Sequence, residues 1–213
     1  MGTLHDPQSI EDCYKTKNDE ETQGESEQKN ESFVSRVVEV GEYLEATREN
    51  INVIITEMIT IYTDGSSKGN PGPGGWAAII FDNEKVYEIG GHAEHTTNNK
   101  MELTAAIEAL RFVSRLSTAN YLLFTDSKYV MMGITEWIHG WIQKGWRTAQ
   151  KKPVLNQDLW QELLNVSEGR DISWKYVEGH AGHQHNERAD EIATSFADGL
   201  TPNLYDGPRE KYK

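Results

Sequence analysis

Two apolar runs in this chain end on the same short spelling, and each ending supplies a carboxylate. Met58 to Thr63 is rich in Ile and Thr and stops at Asp64, followed by Gly65 and two serines; Tyr121 to Thr125 stops at Asp126 and Ser127. Runs of this kind read as buried strands. A single Asp-Gly-Ser could equally be an aspartate that caps a turn. The repetition points elsewhere, because neighbouring strands of one sheet would project Asp64 and Asp126 from the same edge. Two like charges that close raise each other's pKa unless a cation lies between them. Helical patterns carry two more acids toward apolar faces: Glu102, spaced with Ala106, Ala109 and Val113, and Asp190, spaced with Ala193 and Ala197. An unpaired buried carboxylate is costly, so each needs a partner; for Glu102 the alternative is a helix boundary in water. An all-oxygen donor set suits Mg²⁺ or Mn²⁺. Four carboxylates of this kind are the usual protein contribution to a two-metal site, with ions about 3.5–4 Å apart flanking a phosphodiester. Phosphodiester hydrolysis is the chemistry these residues suggest.

Three histidines, His180, His183 and His185, occupy the stretch EGHAGHQH just ahead of Asp190. Zinc is disfavoured, since the motif lacks cysteine and a fourth ligand at suitable helical spacing. A histidine in a loop beside carboxylates suits proton transfer near neutral pH.

The elements that must position these groups follow from periodicity. The first strand leads through a loop with five glycines and two prolines, Gly65 to Gly75, into a second strand, Trp76 to Phe81. A short Asp82-Asn83-Glu84 turn joins it to a third, Lys85 to Gly91, giving an antiparallel meander. A helix is expected from Asn98 to Leu116, with Thr97 as N-cap and Leu103, Ile107 and Leu110 on its buried stripe. After the Asp126 strand come a short helix from Ser127 to Gly133, a helix from Asp158 to Val166, and a strand from Asp171 to Val177. A last helix begins near Asn186, with Ala189, Ile192, Ala193 and Phe196 on its buried side. Between them, Trp137, Trp141 and Trp146 interleave with Lys144, Arg147, Lys151 and Lys152. Aromatics among cations suit a nucleic-acid backbone; tryptophans that pack and cations that face a ligand satisfy both readings.

Charge is unevenly distributed along the 213 residues. The formal net charge is −13, of which residues 1–57 hold −9. Acidity usually argues against nucleic-acid binding, but here most of it lies in an extension and part of the rest in the proposed site. Residues 1–30 are polar and charged, and the composition predicts disorder. Residues 31–50 place Phe33, Val37, Val40 and Leu44 at helical spacing, which predicts an amphipathic helix that packs on the following domain or docks a partner protein. The lone cysteine, Cys13, excludes a disulfide framework within one chain. No apolar leader or membrane-length run is evident, so the chain reads as a soluble, cytoplasmic monomer with a compact domain over 58–198 and a tail over 199–213.

The motifs TDGSSKGNPGPGGW, TTNNKMEL, TDSKYV, GITEWIHGW and GHAGHQHNERADE resemble, in order, those of type 1 ribonuclease H, over roughly residues 58–198. The resemblance implies an α/β ribonuclease H-like fold: a mixed five-stranded sheet, its first three strands antiparallel, flanked by helices on both sides. It implies endonucleolytic cleavage of the RNA strand of an RNA–DNA hybrid, with 5′-phosphate and 3′-hydroxyl products. Asp64, Glu102, Asp126 and Asp190 match the family's metal ligands, for Mg²⁺ with Mn²⁺ as a substitute, two ions with substrate and at least one without. His180 matches the catalytic histidine; His183 and His185 receive no role.

By the same resemblance, Ser66, Asn70, Asn98, Asn99 and Lys128 surround the scissile strand. The Trp137–Lys152 region, with Lys144, Arg147 and Lys151, matches a basic protrusion that grips the DNA strand, and Thr97 and Asn156 are expected to help bind a phosphate. Ile142 and Gln143 stand where well-known bacterial members are more basic, which implies weaker affinity for long hybrids. The acidic extension lacks the composition of the family's small hybrid-binding module and is expected not to raise hybrid affinity.

Overall fold

The computed structural model describes residues 58–116 and 120–213, and Glu45 from the preceding segment. The chain divides into two units, Met1–Ile54 and Ile55–Lys213; the fold below is that of the second. Apart from Glu45, which is helical, the helix expected over residues 31–50 and the polar stretch before it lie outside the described residues.

Strands β1 (Met58–Ser67), β2 (Gly72–Phe81) and β3 (Lys85–Thr96) form an antiparallel meander. Helix α1 (Asn98–Val113) follows, then β4 (Asn120–Thr125). Helix α2 (Lys128–Met132) runs through a π-turn (Gly133–Trp137) into α3 (Ile138–Gln143). Helix α4 (Gln157–Ser167), β5 (Asp171–Tyr176) and α5 (Gln184–Ala197) complete the expected elements. The sheet order is β5-β4-β1-β2-β3-β6, with β1, β4 and β5 mutually parallel.

Two expectations need correction. The sheet has six strands, because β6 (Asp206–Pro208) in the presumed tail pairs antiparallel with the start of β3. A three-residue Asp-Gly-Pro strand has no period to read and spells a turn. The glycine-rich segment is also mostly strand, leaving a connection of only Lys68 to Pro71. Glycine marks turns locally, yet Ser66 and Ser67 pair with Gly75 and Gly74 across the ladder.

Packing gives the glycines their reason. On one face, Ile59, Ile61, Ile80 and Leu123 meet Leu103, Ile107 and Leu110 of α1 and Trp160 of α4. Each fully buried leucine there contributes roughly 1.5–3 kcal/mol. On the other face, Ala77 and Ile79 receive Ala189, Ile192 and Ala193 of α5. A Cβ at Gly65 would lie 2.2 Å from the Glu102 amide nitrogen, and one at Gly75 2.2 Å from the Ala193 carbonyl oxygen. Backbone can approach backbone only where the side chain is absent. These two glycines therefore seat α1 and α5, the helices that carry Glu102 and Asp190, directly against the sheet.

Candidate metal centre

Register decides where the strand-end carboxylates lie. In the parallel pair β1/β4, Thr63 faces Thr125, so the next residues, Asp64 and Asp126, leave the pair at the same level. Ligand oxygens of Asp64, Glu102 and Asp126 lie within 4.8 Å of one another. Asp64 and Glu102 are 5 % and 6 % exposed, and Asp126 is half-buried.

Electrostatics there are unfavourable for the protein alone. Burial, then the charges of Asp126 and Asp190, push the Asp64 carboxyl well above the usual carboxylate range. Burial, then Asp64 and Asp126, do the same to Glu102. The Glu102 Oε1 accepts from Asn98 Nδ2 at 3.4 Å, while the buried Oε2 has no hydrogen-bond partner. Buried polar atoms are normally satisfied. An unpartnered carboxylate oxygen within reach of two further carboxylates fits a hard divalent cation as the missing partner.

Asp190 is half-buried on α5, and its charge reaches Asp64. Its Oδ1 accepts from the Thr194 hydroxyl at 3.4 Å, and that hydroxyl also bonds the Ser66 Oγ at 3.3 Å. Strand β1 and helix α5 are thus tied beside the cluster. His180 is exposed, at φ +56°, in the loop ahead of α5, where Glu187 accepts from the Gly182 N–H at 2.9 Å. His185 instead turns into an aromatic cluster with Phe81, Tyr62 and Tyr212, and burial followed by the Arg209 charge lowers its pKa.

The remaining expected contacts divide into two groups. Asn70, Asn99, Lys144, Arg147, Lys151 and Lys152 are exposed. Lys128 holds its ammonium over the Tyr176 ring at 5.7 Å, and Arg147 is tied to the Lys151 carbonyl at 2.9 Å. Thr97 is the N-cap residue of α1 by its extended backbone, but makes no capping side-chain bond. Trp141 and Trp146 pack on the core and the Trp137 ring lies tilted against Trp141 at 5.7 Å, so the tryptophans are largely structural while Lys144, Arg147, Lys151 and Lys152 stay exposed.

Asn186 is a site residue that type alone does not single out. It is 1 % exposed and donates from Nδ2 to Asp126 Oδ2 at 3.0 Å. A signal was present: Asn186 lies four residues before Asp190, on the same face of α5. The outer partner of a metal ligand fixes its orientation.

The RNase H family matches residues 56–198. The chain belongs to the ribonuclease H family. It is 55 % identical to the ribonuclease HI of Caulobacter vibrioides over 150 residues, 70 % of this chain and 99 % of that one. It also resembles LC9-RNase H1, a type 1 RNase H with the type 2 active-site motif: TM-score 0.62, 33 % identity, 70 % of this chain and 77 % of that chain. LC11-RNase H1, solved in complex with an RNA/DNA hybrid, matches with TM-score 0.50 and 26 % identity over 66 % of this chain and 97 % of that one. The protein is accordingly a ribonuclease H, an enzyme of a family that depends on divalent metals, and it carries a carboxylate cluster fit to hold one.

Proposed function

We propose that the enzyme hydrolyses the RNA strand of RNA–DNA hybrids internally, leaving 5′-phosphate and 3′-hydroxyl ends. The observation that carries this reading is the buried, unpartnered Glu102 oxygen beside Asp64 and Asp126. Asp64, Glu102, Asp126 and Asp190 would hold Mg²⁺, or Mn²⁺ as a substitute, two ions with substrate and at least one without. Such ions activate an attacking water and stabilise the leaving oxygen. Asn186 and Asn98 hold two of the four carboxylates in orientation by the hydrogen bonds described above. His180, exposed in the loop ahead of α5, takes or returns the proton at the departing 3′-oxygen.

Selection of RNA rests on the 2′-hydroxyl, both donor and acceptor, and on duplex shape. Ser66, Asn70, Asn98, Asn99 and Lys128 are the groups assigned to the scissile strand. Trp137, Lys144, Arg147, Lys151 and Lys152 are assigned to the DNA strand, and Thr97 and Asn156 to a backbone phosphate. The reading takes the enzyme as a cytoplasmic monomer; among the described residues no helix is long and apolar enough to cross a membrane.

The test is cleavage of an end-labelled hybrid with Mg²⁺, beside Asp126→Asn and an EDTA control. Cuts confined to the RNA strand and absent from both controls are expected. Cleavage that persists in EDTA, or of the DNA strand, would overturn the reading.

A further inference from the structure

Tyr129 is a half-buried residue for which the site above has no use, and its hydroxyl is saturated. It donates to the Leu155 carbonyl at 3.2 Å and accepts from Trp160 Nε1 at 3.0 Å and Asn156 Nδ2 at 3.2 Å. A phenol has one proton and two acceptor positions, so all its capacity is engaged. With the Tyr129 hydroxyl proton given to the Leu155 carbonyl, both acceptor positions are filled by donors, the Trp160 indole and the Asn156 NH₂.

Asn156 is itself unusual. It occupies the N-cap position of α4, where an asparagine side chain ordinarily accepts a backbone N–H of the first turn. Here it makes no capping bond and its backbone is left-handed, with φ +56°. The side chain is directed to Tyr129 instead, leaving its second N–H to donate elsewhere.

Both ends of this link are anchored. Tyr129 sits three residues past Asp126 in α2, whose first turn is held by Ser127: its N–H bonds Thr125 Oγ1 at 3.1 Å and its Oγ accepts from Val130 N at 3.3 Å. Just ahead of Asn156, the cationic segment closes on itself, with Arg147 bridged to Pro153 and Val154 N bonded to the Trp146 carbonyl at 3.0 Å. The Tyr129 ring packs on Trp160 at 5.3 Å, and Trp160 on Trp141 at 5.5 Å. One hydroxyl therefore ties the strand end that bears Asp126 to the turn that bears Asn156.

We infer that Tyr129 is a positioning residue for substrate: its hydroxyl holds the Asn156 amide, before any ligand arrives, where it donates to a backbone phosphate of the hybrid at a set distance from the metal centre. A group ordered in advance does not have to be ordered on binding. The inference rests on the assignment of Asn156 to a phosphate made above.

The experiment compares wild type, Tyr129→Phe, Asn156→Ala and the double variant in hybrid cleavage with Mg²⁺, at one salt concentration and below the melting temperature of every protein. Tyr129→Phe keeps the ring on Trp160 and removes only the hydroxyl. It should raise KM for the hybrid about threefold to tenfold, the scale of one neutral hydrogen bond, with kcat unchanged. The double variant should be no worse than Asn156→Ala. Multiplying effects, or a lowered kcat at unchanged KM, would overturn the inference. If Asn156→Ala alone leaves KM unchanged, the phosphate assignment fails and takes the inference with it, while strand-specific cleavage by the wild type still stands. In the free wild-type protein, slow exchange of the Asn156 side-chain amide protons is expected; exchange as fast as in an open peptide would overturn the pre-ordering without recourse to any variant.

Discussion

Glu88 and Glu102 are equally buried glutamates, 5 % and 6 % exposed, in opposite electrostatic situations. Glu88 receives Arg188 Nε at 2.8 Å and Nη2 at 3.0 Å, the Tyr205 N–H at 3.0 Å and the Tyr212 hydroxyl at 2.8 Å. Burial would raise its pKa, but the Arg188, Tyr205 and Tyr212 hydrogen bonds and the Arg188 charge hold it below the usual value. Glu102 has an oxygen without a partner and two carboxylates for neighbours, and its pKa is driven up. The protein completes the first site from its own groups. The second it leaves for something else to complete, and a buried acid in such a state marks function rather than stability.

The sharpest way to break this comparison is to neutralise each acid. Glu102→Gln should lose far more activity with Mg²⁺ than the roughly 10–100-fold typical of losing an outer partner of a metal ligand. The same variant should melt higher than wild type in EDTA, because it removes a repelled buried charge. A lower melting temperature in EDTA would mean that Glu102 is satisfied within the protein. Glu88→Gln should do the reverse. Weakening the charge-assisted hydrogen bonds from Arg188, Tyr205 and Tyr212 together should cost on the order of 3 kcal/mol, read by denaturant unfolding, while kcat per folded molecule stays near wild type.

Tyr212→Phe offers a smaller probe of the same clamp. Losing one hydrogen bond to a charged acceptor should cost about 1.5–3 kcal/mol. It would also show that the chain's end, through β6 and Tyr212, belongs to the folded domain. An unchanged unfolding midpoint would remove the tail from the clamp.

The pH dependence sharpens the contrast further. Glu88 has a depressed folded pKa, so its stabilisation is present above the unfolded carboxylate pKa, about 4, and is lost as pH falls through the folded value. Asp64 and Glu102 have raised folded pKa values, so the folded state binds more protons than the unfolded state above about pH 4. Metal-free protein should therefore lose stability as pH rises from there toward those folded values, by up to about 1.4 kcal/mol per pH unit for each proton. Mg²⁺, or Asp64→Asn in EDTA, should flatten that decline. Melting curves from pH 4 to 8, with and without metal, would show it, and a slope unaffected by metal would refute it.

Much of this was legible from the chain. Apolar runs that end in Thr-Asp marked β1 and β4, and helical spacing turned Glu102 and Asp190 inward, because side-chain direction follows local period. The order of the motifs carried the family. What the sequence left unread is joined over long separations: Asn186 to Asp126 spans 60 residues and Tyr212 to Glu88 spans 124. No local period encodes such a pairing. Sheet register set Asp64 level with Asp126, and close backbone approach at Gly65 and Gly75 lets α1 bring Glu102 into the cluster and α5 bring Asp190 beside it. The residue types thus determined which chemistry was available. Tertiary packing decided which buried acid is satisfied and which is left open, because that depends on donors brought from elsewhere in the chain.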